Sequence, residues 1–106
     1  MKVYSIEDFK GGWFIGNFLP SIIRTELFEA GLKKYKKGDV DRLHYHKQAI
    51  EITLVLSGEA SFSGKRVNAG ELAVLEPEEK NQFSALSDVQ LLVIKFPSIP
   101  DDKYFL

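Results

Sequence analysis

The chain of 106 residues contains no cysteine. That absence excludes disulfide scaffolds, thiolate zinc sites, iron–sulfur clusters and cysteine nucleophiles together. An excess of either charge is also missing: 14 Lys and Arg stand against 15 Asp and Glu, for a net charge of -1. A protein that grips nucleic acid through its phosphates is expected to be strongly basic, so no nucleic-acid partner is expected. No apolar run reaches the roughly 18 residues of a membrane-spanning helix. The longest runs, such as Leu91-Leu92-Val93-Ile94, are the length of a strand. Glu7 and Asp8 fall where a signal peptide needs its apolar core. The expectation is therefore a soluble, cytoplasmic protein with no membrane partner. Repeats and low-complexity segments are absent. Gly11-Gly12 and Gly16 have neither the spacing nor the strand–helix setting of a phosphate-binding loop.

Turn-forming residues recur at short intervals: Gly38-Asp39, Ser57-Gly58, Ser63-Gly64, Asn68 with Gly70, Pro77 and Ser87-Asp88. The segments between them are rich in Val, Ile, Phe, Tyr and Leu, which predicts an all-β sandwich or barrel. Expected strands are Glu26 to Tyr35, Arg42 to His46, Ile50 to Ser57, Ala60 to Phe62, Lys65 to Val67, Glu71 to Leu75 and Val89 to Phe96. One helical turn is expected at Ser5 to Phe9, with Ser5 as the N-cap and Asp8 completing a capping box. Ser63-Gly64 is expected to be the two-residue turn of a hairpin.

Alternation splits the strand from Ile50 to Ser57 into two faces. Ile50, Ile52, Leu54 and Leu56 form a wholly aliphatic face, whereas Glu51, Thr53, Val55 and Ser57 form a mixed one. If the mixed face lines a barrel, the aliphatic face needs a cover. A second subunit supplies one, giving a homodimer; the N-terminal segment, with Trp13, Phe14 and Phe18, supplies another.

The only two histidines are His44 and His46. On a strand this spacing turns both imidazoles to one face, a ready chelate for a divalent first-row metal. Glu51 joins them only if a turn or bulge at Lys47-Gln48-Ala49 corrects its face. Two histidines and a carboxylate suit Fe, and also Mn, Ni or Zn. The bland alternative is a histidine pair that is solvated or hydrogen-bonded in a barrel mouth. Without a metal, Glu51 becomes a buried general base. Tyr35, Tyr45 and Thr53 offer hydroxyls, with Tyr45 pointing away from the histidines. Lys33, Lys34, Lys36, Lys37, Arg42 and Lys47 form a basic stretch that either attracts an anionic substrate or is a solvated edge.

From Gly38 to Gly58 the chain reads Gly38, five residues, His44, one residue, His46, four residues, Glu51, six residues, Gly58. This resembles the first motif of the cupin superfamily, and the resemblance extends over Tyr35 to Phe96. It implies a double-stranded β-helix, a jelly-roll barrel with a metal inside and with His44, His46 and Glu51 directed inward. One cupin domain over 1–106 is expected, with 1–24 packed on the barrel; the tail 97–106, with two prolines and a Tyr-Phe-Leu end, is expected to pack on the barrel or across a dimer. The second motif departs from the family. An ungapped reading from Gly70 puts Glu76 at the family's proline, Glu78 at its glycine and Asn81 at its third histidine. Anchoring on Pro77 instead puts Gln82 there. The expected ligands are His44, His46 and Glu51, with Asn81 or Gln82 as a further contact. The resemblance implies a metal-dependent enzyme for a small polar or carbohydrate-like molecule, of dioxygenase, isomerase or decarboxylase type. The alternatives are a small-ligand binding module and a dimeric interaction protein.

Overall fold

The structure, a computed structural model, describes all 106 residues. Eleven strands follow one another: β1 (Trp13–Gly16), β2 (Ile23–Arg24), β3 (Glu29–Tyr35), β4 (His44–His46), β5 (Ile50–Ser57), β6 (Glu59–Phe62), β7 (Lys65–Asn68), β8 (Leu72–Leu75), β9 (Phe83–Ala85), β10 (Val89–Phe96) and β11 (Lys103–Phe105). One sheet has six strands in the order β2-β1-β3-β10-β5-β8. Facing it, β7-β6-β9 forms one part of a second layer and β11-β4 the other. Reciprocal backbone hydrogen bonds between His44 and Asn81 join the two parts. Two mostly antiparallel sheets thus enclose a core of Val55, Ala60, Phe62, Phe83, Leu91 and Val93, among others. No helix is long and apolar enough to cross a membrane.

The β5 and β10 boundaries match the expectation from alternation. The Glu26–Tyr35 strand begins three residues late, at Glu29, because Thr25 Oγ1 accepts from the Leu27 amide and turns the chain first. The helical turn is a 3-10 turn, Ile6–Asp8, in which Asp8 accepts from the Ser5 amide at 2.9 Å. Ser63 and Gly64 both take positive φ, 51° and 87°, and close the β6–β7 hairpin as a two-residue turn.

Thr53 and Val55 are fully buried, so the mixed face of β5 is the inner one. The aliphatic face points out and continues across four strands in two rows. Leu32, Leu92, Leu54 and Leu72 lie in register, as do Ala30, Ile94, Ile52 and Val74. The N-terminal segment leaves the β8 end of this face open. Ile6 and Phe9 share a cleft with Leu32 at one side of it, while Leu72 and Val74 remain 60% and 50% exposed. Trp13 goes to the inner face instead. Gly31, its partner across the β1–β3 pairing, leaves room for the indole; a Cβ there would stand 2.6 Å from the ring.

Candidate metal and ligand site

β4 presents His44 and His46 inward, each 6% exposed, with ring centres 5.4 Å apart. Tyr45, between them, points away and stacks on Tyr104 at 5.4 Å. Glu51, at the start of β5, stands with Oε1 3.6 Å from His46 Nε2. The turn that lets it do so is held from a distant part of the chain. The buried carboxylate of Asp102 accepts from the backbone amides of Lys47 at 3.1 Å, Gln48 at 3.2 Å and Ala49 at 3.0 Å. The face correction required at Lys47-Gln48-Ala49 is therefore made by a tail side chain. Tail strand β11 also pairs with β4 along its whole length, with Lys103 opposite His46 and Phe105 opposite His44.

His44 Nδ1 lies 2.8 Å from the carbonyl of Arg42, a bond that makes Nδ1 the protonated nitrogen and leaves Nε2 with its lone pair. Both ring nitrogens of His46 are buried without a hydrogen-bond partner. Burial, reinforced by the Lys95 charge, pushes the His46 imidazole down to about 4, so it is neutral at pH 7. Burial also lowers His44 and raises the Glu51 carboxyl above its ordinary range. A cavity of about 10 Å³ is lined by His44, His46 and Glu51 together, beside Glu76 and Glu79. It is the size of a single water or ion. No three His, Asp or Glu side chains close into a ready-made metal cage. The donors nonetheless fit a divalent first-row ion: two neutral imidazoles, a carboxylate, and buried nitrogens with nothing else to bind.

Asn81 is buried, and lines the larger cavity described next. Its Oδ1 accepts from Ser63 Oγ at 3.2 Å. Gln82 is exposed and lines none of these cavities; its amide donates to Ser63 Oγ. Alternation along β9 explains the division, since Asn81, Phe83 and Ala85 are all buried. Glu78 adopts φ of 70°, the left-handed conformation that favours glycine, at the position where the ungapped second motif has its glycine. The Glu78 amide donates to the His46 carbonyl at 2.6 Å, tying this loop to β4.

A cavity of about 330 Å³ reaches from these residues to the barrel mouth, with His44, Glu51, Thr53 and Tyr35 in its wall. Tyr35 donates to Asp41 at 3.2 Å. Burial and that carboxylate push its phenol far above the usual range, so it keeps its proton. Of the basic stretch, only Lys33 enters this cavity. Arg42 lies over the Phe105 ring at 4.8 Å and Lys47 over Tyr104 at 4.5 Å. Lys95 and Lys103 line the cavity without having been singled out in the sequence, and so does Trp13, which was expected to help cover the outer face. The signal for Lys95 was present: alternation from Val89 through Leu91 and Val93 puts it on the inner face.

No protein-family model matches the chain, and no curated protein matches it. Solved structures do. An uncharacterised conserved protein with a double-stranded β-helix domain from Klebsiella pneumoniae superposes with a TM-score of 0.73 at 15% identity, covering 98% of this chain and 90% of that one. An RmlC-like cupin from Shewanella frigidimarina gives 0.65 at 20% identity, over 73% and 72% of the two chains. The DMSP lyase DddQ from Ruegeria pomeroyi gives 0.73 at 16% identity over 88% of this chain; the match spans about half of that protein, 49%. With two facing sheets, an inward histidine pair and these neighbours, the chain has the double-stranded β-helix fold of the cupins.

Proposed function

We propose that the barrel is a metal-dependent enzyme for a small polar molecule, with a divalent Fe, Mn, Ni or Zn ion held by His44, His46 and Glu51. The observation that carries this is His46, whose two ring nitrogens are buried with no partner 3.6 Å from a carboxylate. Such an ion supplies Lewis-acid or oxygen-activating chemistry. The chain's own residues then have separable tasks. His44 is held in one tautomer by the Arg42 carbonyl. Glu51 is a ligand, or a proton acceptor whose basicity burial has raised. Thr53 and the protonated Tyr35 offer hydroxyls to a substrate in the cavity. That a lyase shares the fold is compatible with this reading but does not select a reaction.

The test is elemental analysis of protein purified without a histidine tag. About one first-row ion per chain is expected, falling below a tenth of that in His46→Ala. No ion after exposure to each metal in turn overturns the reading. One observation favours a second reading, a binding module without chemistry: no three acidic or imidazole donors are gathered into a cage, and the Asn81 carbonyl is engaged by Ser63.

We also propose that a second copy covers the outer face of the large sheet. The two aliphatic rows carry no charge, so the patch is complementary to itself about a two-fold axis. The wild type is expected to sediment as a dimer, and Leu54→Lys as a folded monomer. A monomeric wild type at high protein concentration sinks the idea.

A further inference from the structure

Three lysines line the large cavity, and none is in a close ion pair. Lys33 and Lys95 project from the inner faces of β3 and β10, and Lys103 comes from β11. The Lys33 and Lys95 ammonium nitrogens stand 5.5 and 5.0 Å from the centre of the Trp13 ring, so two cations lie close to one indole. The whole chain forms only two ion pairs, His46–Glu51 and Arg66–Glu59, and none of the three lysines belongs to either.

Three acids, Glu29, Asp41 and Glu51, share the wall, and Asp41 and Glu51 act on the lysines at a distance, but the hydrogen bonds and ion pair that the three form are with other groups. Asp41 accepts from Tyr35, Glu29 accepts from Ser98 Oγ at 3.0 Å, and Glu51 faces His46. Lys33 donates one hydrogen bond, to the Gly11 carbonyl at 2.9 Å, and has two further N–H groups to give. Burial lowers its pKa, as expected of a cation that water only partly solvates. What Lys33 and Lys95 lack is a direct ion-pair partner, and a bound anion would supply one in a partly dry space, where such pairs are strongest. The volume, near 330 Å³, is at the small end for ligand pockets and suits a small molecule.

We propose that the cavity takes a small organic carboxylate, its charged end received by Lys33 and Lys95 beside the Trp13 indole. Lys103 closes the outer side. The inference deepens the enzyme reading by naming the substrate class of the same cavity, but binding itself needs no metal.

The test is calorimetric titration of metal-stripped and metal-loaded protein with aliphatic carboxylates from acetate to adipate, each beside its neutral amide, and with inorganic phosphate. At least one carboxylate is expected to bind tenfold or more tightly than its amide and than phosphate. Lys95→Met should lose that preference. Lys34→Met, exposed on the opposite face of β3, should keep it. Lys33→Met should behave as Lys95→Met does; if losing the Gly11 bond unfolds it, Lys95→Met carries the test. Amides binding as well as carboxylates, phosphate binding better, or an unchanged Lys95→Met would each overturn the proposal. Metal content measured on the same samples keeps the two readings apart. Carboxylate binding by a chain that takes no ion supports this inference while the metal reading fails.

Discussion

Replacing Asp102 by alanine is expected to lower stability by about 3 kcal/mol and to cut metal uptake with it. The carboxylate accepts from three consecutive amides, of which Ala49 is buried. Hydrogen bonds to an ionised group are worth about 1.5–3 kcal/mol each, and a buried amide left unpaired costs about 1–3 kcal/mol. Lys47 and Gln48 are exposed residues whose amides can recover part of theirs from water, which keeps the sum below the full total. The consequence is local as well as global. Without the clamp the turn between β4 and β5 is free to relax, and His46 and Glu51 lose their common orientation. Urea denaturation and metal titration of Asp102→Ala and Asp102→Asn measure both effects. Asparagine, which keeps one acceptor oxygen, should fall between alanine and the wild type. A loss below about 0.5 kcal/mol, within the range of an ordinary surface change, would show that the turn holds itself.

Gly58→Ala is expected to be at least as damaging, at about 3–4 kcal/mol, whereas Gly38→Ala should cost about 1–2 kcal/mol. Both glycines occupy fixed positions of the first motif, and both have positive φ, 83° and 93°. The left-handed conformation alone costs a residue with a Cβ about 1–2 kcal/mol. Around Gly38 nothing lies within 4 Å of a new Cβ, so that strain is the whole effect. At Gly58 the Cβ would land on the carbonyl oxygen of Asp88, with Ser87 Oγ 2.8 Å away. The obstruction is backbone, at the start of β10, and Ser87 Oγ also accepts from the Glu59 amide. Relief therefore means moving β10, the strand paired with both β3 and β5. Thermal melts of the two variants side by side decide it; equal losses would refute the steric argument.

The parts of this architecture legible in the sequence are those governed by local rules. Period-two alternation gives β5 and β10 with their inner faces, and the Ser63-Gly64 turn gives its hairpin. The two-residue spacing turns His44 and His46 to one face, whereas the place of Glu51 beside them was implied only by the resemblance to the cupin motif. What escaped depends on distant partners. Strands β1, β2, β9 and β11 are two to four residues long and exist because a neighbouring edge accepts them. Nothing in Pro100-Asp101-Asp102-Lys103 announces a strand, and nothing near Lys47 announces Asp102. Trp13 illustrates the same limit: its place on the inner face is set by the missing side chain of Gly31 across the pairing, not by its own surroundings.

The clamp spans a sequence separation of 53 residues between Ala49 and Asp102. A ribosome delivers β4 and β5 long before it delivers residues 102 to 105. During that interval the histidine strand lacks its β11 partner and its turn lacks its fastener. Nascent chains should therefore leave His46 and Glu51 without their common orientation until residues 102 to 105 have emerged, so the arrangement is completed 53 residues after Ala49 is made.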